Sequence, residues 1–429
     1  MSNVVIVSGK RTAVGAFGGA LKDIAAKDLG ALVMRSALLS CGLKPVMPPH
    51  AEEDTPDKCK PAQLSPVEKE YWNWPESNQP IEIDEVIVGN VLQAGQGQNP
   101  GRQAMIRAGI HKETPGYTVN IVCGSGLKAI ALAAASIKAG DNKVVIAGGM
   151  ENMSQVPLAL PEARWGYRMA MPYGKITDLM VFDGLWEIFY GYHMGVTAEN
   201  IAALYGISRK DQDELGCESH MRAIAATKNG LFKDEIVPVT IPQKRGEPII
   251  FDKDERPMET TMEKMAKLAT VFKKDGTVTA GNASGINDAA AATLLMTEEK
   301  AKELGLKPLA RIKGYALGGV DPAYMGLGPI PACRKLFRLT GTTAKDYGLV
   351  ELNEAFASQA IACMRELGFD NSIVNVNGSG ISIGHPIGAT GTRLIVTLAH
   401  EMQRRGVGLG LASLCIGGGM GMAMAIEAV

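Results

Sequence analysis

Aromatic side chains make up only 5% of this 429-residue chain. No apolar run reaches the roughly 20 residues that a membrane-spanning helix needs. The net charge is −1, so nothing general in the electrostatics invites nucleic acid or an anionic membrane as a partner. Seven cysteines stand at irregular positions, 41, 59, 123, 217, 333, 363 and 415. They form neither a disulfide framework nor a metal-ligand spacing, and their odd number suits a reducing compartment. No cationic apolar leader or transit peptide opens the sequence, and no retention or lipidation signal closes it. The expected location is cytoplasmic, by default.

Against these absences stand 50 glycines and abundant alanine. Small residues at this density suit tightly packed α/β layers with close backbone approaches. The length predicts two or three domains. Strand-like runs near residues 4–8, 85–88, 117–122, 143–147, 348–351, 375–376, 410–413 and 421–426 alternate with helical patterns near 25–41, 103–108, 123–135, 355–367 and 390–404. That alternation predicts a layered α/β architecture. Residues 153–286 are richer in charge, methionine and turn formers, as expected of an inserted or capping domain. Residues 46–80 hold seven of the 22 prolines and two of the four tryptophans. So many prolines exclude a long helix or a central strand there. This excursion is expected to have no catalytic part and to dock on its own protomer or on a neighbouring subunit through its Tyr71-Trp72-Asn73-Trp74 cluster.

Cys123 carries the sharpest chemical signal. It ends a β-prone run and heads Gly124-Ser125-Gly126 and an Ala-rich helix. A thiol at a helix N-terminus meets free N–H groups and the positive end of the dipole, so a thiolate forming below the ordinary pKa of about 8.5 is expected. A lone cysteine is more often a buried structural residue, but a core cysteine needs no glycine cluster. Among the six histidines, His385 in Gly384-His385-Pro386-Ile387-Gly388 is the one suited to serve a thiol as base. Cys415 precedes Ile416-Gly417-Gly418-Gly419, a backbone able to aim N–H groups at developing negative charge, or else a flexible turn. Asn353-Glu354-Ala355-Phe356 follows a predicted strand, where α/β enzymes place functional groups, although Asn-Glu alone also fits a helix cap.

Five blocks together resemble the signature sequences of the thiolases. They are Val119-Asn120-Ile121-Val122-Cys123-Gly124-Ser125-Gly126, Gly148-Gly149-Met150-Glu151-Asn152-Met153-Ser154, Asn353-Glu354-Ala355-Phe356-Ala357, Gly384-His385-Pro386 and Cys415-Ile416-Gly417-Gly418-Gly419. The resemblance runs from the first predicted strand to the last, interrupted mainly by residues 46–80. Within the family the chain is most similar to the short-chain acetyl-CoA acetyltransferases. Tyr192-His193-Met194-Gly195 and Thr279-Ala280-Gly281-Asn282-Ala283-Ser284-Gly285 match the coenzyme A-facing stretches of that branch.

The resemblance implies a five-layered fold of two similar α/β halves with an inserted loop domain. The first half would span 1–152, including the Pro-rich insertion at 46–80. The coenzyme A-binding loop domain would span 153–286. Residues 287–429 would complete the first half, to about 307, and form the second. Such enzymes are usually tetramers, so a homotetramer is expected. The implied reaction is Claisen condensation of two acetyl-CoA to acetoacetyl-CoA and CoA, with thiolysis as its reverse.

By the same resemblance Cys123 is the acyl-accepting nucleophile, His385 its base and Cys415 the base for the second substrate. The N–H groups of Cys123 and Gly417 would hold one thioester oxygen, and His385 with a water fixed by Asn353 the enolate oxygen. Leu185, His193, Met194, Phe272, Ala280 and Ser284 would surround coenzyme A, with Met325 and Phe356 bordering a short acyl pocket. For Leu185 and Phe272, plain core packing is an equal reading. Coenzyme A thioesters are the substrates, and neither a tightly bound cofactor nor a metal is implied. Relatives commonly read Gly-Gly-Ala-Ile-Ala-Leu-Gly-His-Pro before the histidine; here Ser379, Gly380, Ser382 and Ile383 differ. The alternatives are a degradative 3-ketoacyl-CoA thiolase of broader chain length and a catalytically silent acyl-CoA-binding or lipid-transfer protein on the same fold.

Overall fold

The computed structural model describes residues 3–166 and 175–429; residues 167–174, within the expected loop domain, lie outside the described residues. Its principal elements repeat one pattern twice. The first set is β1 (Val4–Thr12), α1 (Ala26–Leu39), β2 (Glu85–Gly89), α2 (Pro100–Arg107), β3 (Gly116–Val119), α3 (Ser125–Ala139) and β4 (Val144–Asn152). After an excursion that contains α4 (Met194–Tyr205) and α5 (Arg209–Lys228), β5 (Asn287–Thr297) completes it. The second set is β6 (Ala310–Gly319), α6 (Pro329–Thr340), β7 (Leu349–Leu352), α7 (Ala357–Leu367), α8 (Thr390–Arg405), β8 (Leu409–Ile416) and β9 (Met420–Glu427).

The strands lie in the order β7-β8-β9-β6-β1-β5-β4-β2-β3. In each half the strand senses agree: β1 and β6 pair antiparallel with β5 and β9, these with β4 and β8, and those run parallel to β2 and β7. The halves join where β1 meets β6 through Val5↔Arg311 and Ile6↔Ala310.

Side-chain alternation builds five layers from this sheet. Val5, Val7, Ile146 and Met150 face outward onto α1 and α2, with Leu29, Val33 and Met105. Their neighbours Val4, Ile6, Val145 and Ala147 face inward, against α3 and α8, which the other half covers with Ala412, Leu414, Met422 and Met424. Val350, Leu411, Ala423 and Ala425 then face α6 and α7. Period-two alternation of buried residues on both faces is what a sheet clad by helices on each side requires.

One element is absent from the sequence reading and another departs from it. Residues 287–297, four consecutive alanines among them, form a fully inserted strand although alanine favours helix. The reason is tertiary. Ala291 and Ala292 pair with Gly149 and Gly148, and a Cβ on Gly148 would stand 2.6 Å from Ala291 O, so only small residues fit this close register. Residues 375–376, expected as strand, contribute none: pairing is reduced to one bridge, Val350↔Val374. Asn375 turns into the left-handed region at φ 49°, and its side chain takes over the ladder. Asn375 Nδ2 donates to Leu352 O and Glu354 Oε1, and its Oδ1 accepts from Leu352 N.

The proline-rich excursion docks on its own chain. Trp74 is buried, donates Nε1–H to Gly109 O at 2.9 Å and lies under the Arg35 guanidinium, 4.0 Å from its ring centroid.

Candidate active site

Cys123 sits in the link between β3 and α3, one residue before the helix N-cap Gly124. The link is a strained elbow: Val122 adopts φ 48°, rare for a β-branched residue. Three local bonds hold it. Val122 N–H donates to Asn120 Oδ1, Ile121 N–H donates to Ser125 Oγ, and that hydroxyl donates to Val122 O. The elbow turns the sulfur away from the helix and into a cavity of about 580 Å³.

His385 reaches the same cavity from the second half, on the link into α8. Gly384 just before it has φ 125°, and a Cβ there would stand 2.6 Å from the Asn287 side chain, whose Oδ1 accepts His385 N–H at 3.0 Å. The ring is oriented by Thr390: His385 Nδ1 lies 2.7 Å from Thr390 Oγ1, and that hydroxyl donates to Pro386 O. With its single proton committed, Thr390 Oγ1 accepts from Nδ1–H, so Nε2 carries the free lone pair. Asn353 Nδ2 lies 3.4 Å from both ring nitrogens, placing the amide against the imidazole. Cys415 ends β8 and is fully buried, and Gly417 opens the turn into β9.

Burial decides the charge state. It pushes the Cys123 thiol up to about 11, although the N–H groups of Gly417 and of Cys123 itself, both aimed at the sulfur, pull the other way. The expected low-pKa thiolate is therefore overturned: the helix end lies one residue off and removal from water outweighs it. Cys415 is driven up for the same reason, with Cys123 as a further contributor. Burial, then the Arg393 charge, lowers His385 to about 3. The resting site is a neutral thiol, a neutral imidazole and a second neutral thiol.

Behind these groups the two halves meet without side chains. A Cβ on Gly149 would fall 2.1 Å from Gly388 O. The buried Glu151 carboxylate accepts from Gly388 N, Val91 N, Leu92 N and Asn90 Nδ2, stitching three segments together.

The residues 153–286 supply much of the cavity wall. Leu185, His193, Met194, Phe272, Ala280 and Ser284 all line it, as do Met325 and Phe356 from the second half. His193 has a structural duty as well, capping α4 by accepting Gly195 N–H on Nδ1, which leaves its Nε2–H as a donor. Its ring stacks on Phe272 with centroids 4.6 Å apart. Phe272 meets Phe356 edge-on. Of the thirteen residues singled out from the sequence, the cavity gathers Cys123, His385, Cys415, Gly417 and these eight. Asn353 stands directly behind His385, fully buried.

Sequence reasoning missed Thr390, Glu151 as a separate contributor, and Arg256. The Arg256 guanidinium lines the cavity and donates to the carbonyls of Ile381, Ala280 and Ala283. Glu151 stands inside one of the five blocks, whereas neither Thr390 nor Arg256 stands in a pattern that marks its role. The serines peculiar to this chain do not touch His385. Ser382 Oγ lies 2.8 Å from Ser219 Oγ, whose proton goes to Glu354 Oε2. They tie α5 to the segment leading to the histidine.

The N-terminal domain model of the thiolase family matches residues 77–299 and the C-terminal domain model residues 306–428. The chain belongs to the thiolase family of acyltransferases. It is 54% identical over 428 residues to the acetyl-CoA acetyltransferase of Syntrophomonas wolfei, covering 99% of each chain. The crystal structure of the Bacillus anthracis acetyl-CoA acetyltransferase superposes with a TM-score of 0.89 at 44% identity, covering 100% of this chain and 99% of that one. That of human mitochondrial 3-ketoacyl-CoA thiolase superposes with a TM-score of 0.87 at 38% identity, with the same coverage.

Proposed function

We propose that the chain condenses two acetyl-CoA to acetoacetyl-CoA and CoA, and catalyses the reverse thiolysis, through an acetyl-Cys123 intermediate. The observation that carries this reading is one cavity shared by two thiols and an imidazole from both halves, walled by the residues expected to face coenzyme A.

In the first half-reaction His385 Nε2 accepts the Cys123 proton as the sulfur attacks the thioester carbon. The N–H groups that point at the sulfur, from Gly417 and Cys123, are placed for the oxygen of the tetrahedral intermediate. CoA departs as a thiolate and takes the Cys415 proton. Cys415 is left as a thiolate beside an imidazolium, so the high resting pKa of both thiols is overcome by pairing opposite charges inside the cavity. In the second half-reaction Cys415 removes a proton from the acetyl methyl group of the incoming substrate. The enolate oxygen is held by His385 Nε2–H and by a water bound to Asn353. The carbanion attacks acetyl-Cys123, and the released sulfur recovers its proton from His385. All three groups then return to their resting state.

The Met325 and Phe356 walls support a short acyl chain. Likeness to a 3-ketoacyl-CoA thiolase keeps a broader range as the second reading. Intact-protein mass spectrometry after brief exposure to acetyl-CoA tests the chemistry. An acetyl adduct is expected on wild type, together with acetoacetyl-CoA, and on Cys123→Ala neither. Asn353→Ala should keep the adduct and lose about 100- to 1,000-fold in condensation. Thiolysis of longer 3-ketoacyl-CoA substrates at rates matching acetoacetyl-CoA would favour the second reading. No adduct under reducing conditions would refute both.

A further inference from the structure

Away from the catalytic cavity, the proline-rich excursion brings a second cluster of chemical groups against the body of the protein. Glu68 lies on its short helix, Pro66–Tyr71, and His111 and Glu113 lie on the turn that precedes β3. One carboxylate oxygen from each glutamate and one His111 nitrogen all fall within 4.8 Å of one another. The glutamate at 68 and the histidine are buried, 1% and 4% exposed. Buried polar atoms almost always have partners. Here two in one cluster have none: His111 Nδ1, 3.7 Å from Glu68 Oε1, and Glu113 Oε2.

We propose that Glu68, His111 and Glu113 form a binding site for a divalent transition-metal cation of the zinc type, which clamps the excursion to the turn before β3. One imidazole nitrogen with two carboxylates is a donor set that zinc-type ions accept, whereas calcium and magnesium prefer oxygen alone. Bonds of about 2.0–2.2 Å require only a modest contraction of the three donors.

The surroundings are built for the purpose. Glu68 is oriented by Ser65 N and Oγ on Oε2 and by Lys112 N on Oε1, and Trp72 packs 4.6 Å from the His111 ring. Outer-shell bonds of this kind fix the aim of metal ligands. Lys112 Nζ donates to Glu113 Oε1 and to Gln63 O and stands 3.7 Å from Glu68 Oε2, and the Arg102 charge also acts on both glutamates. Neither cation satisfies the orphaned His111 Nδ1 or Glu113 Oε2. A cleft of about 600 Å³, walled by Glu113 and Lys112 on one side and by Cys59 and Gln63 on the other, gives an ion its way in.

The test uses the full chain, stripped with a chelator and titrated with zinc chloride. Metal content is read by mass spectrometry after gel filtration, and thermal unfolding is followed in parallel. Wild type is expected to retain one zinc per chain and to unfold at a temperature that rises with zinc concentration. Glu113→Gln and His111→Gln should each weaken zinc at least 10-fold and abolish the zinc-dependent shift, while acetyl transfer stays as in wild type. Glu113 is the milder site, so its variant decides the matter if His111→Gln fails to fold. Failure of wild type to retain zinc overturns the proposal. So does equal retention by the variants, which would place the ion on cysteine thiols elsewhere.

Discussion

Thr390 Oγ1 lies 2.7 Å from His385 Nδ1 and passes its own proton to Pro386 O. One hydroxyl thereby fixes which nitrogen of a buried imidazole is free to take the Cys123 proton. Thr390→Val keeps the shape but strands Nδ1–H without an acceptor. An unmet buried donor costs about 1–3 kcal/mol. We expect formation of acetyl-Cys123 to slow about 10- to 100-fold, measured by rapid-quench mass spectrometry, and Thr390→Ser to recover most of the rate. An unchanged rate in the valine variant would mean that the tautomer is set by another group.

Two buried histidines should cost the protein stability in mild acid. Burial, then Arg256, lowers His220 to about 4, and burial, then Arg393, lowers His385 to about 3. Unfolded histidine titrates near 6.5. Between these values the unfolded chain binds more protons at these two histidines, so their contribution to stability is complete above about pH 6.5 and falls as pH drops toward 4. His220→Asn can still accept the Met258 N–H that His220 Nδ1 now accepts. Urea midpoints at pH 7 and pH 5 should therefore differ less in this variant than in wild type; identical slopes would show that His220 does not contribute.

The excursion should contribute stability and not turnover. Trp74 is buried against Gly109 and Arg35, far in sequence and in packing from the cavity lining. Trp74→Ala is expected to lower the unfolding free energy by about 3–5 kcal/mol. Its kcat for acetoacetyl-CoA thiolysis should match wild type below the unfolding transition. A loss of turnover in protein that remains folded would give the excursion a role in catalysis.

The chemistry was legible in the sequence because each reactive group stands in a block of small residues that an ordinary structural cysteine or histidine does not need. Cys123, His385 and Cys415 could be found from that contrast, and the family resemblance supplied their common cavity. Its charge state could not be read in the same way. Dipole reasoning about Cys123 uses neighbours along the chain, whereas the cost of burial comes from residues distant in sequence. The same limit explains the alanine-rich strand at 287–297. Its conformation is dictated by Gly148 and Gly149 across the sheet, and local propensity points the other way. Arg256 was invisible for a related reason, since its role consists of bonds to carbonyls brought near by folding, and Thr390 because nothing along the chain marks which hydroxyl will meet the His385 ring.

The seam at Gly149 and Gly388 has a consequence for how such a protein can change. A methyl group on Gly149 would overlap the facing carbonyl, so the seam admits almost no variation without moving the reactive groups. The side chains of Leu185, Phe272, Met325 and Phe356 border the cavity on one side and pack on neighbours on the other, so a change of size there alters the cavity and not the seam. Substrate range can therefore drift through the walls while the reaction itself stays locked, and descent with altered specificity needs no redesign of the catalytic centre.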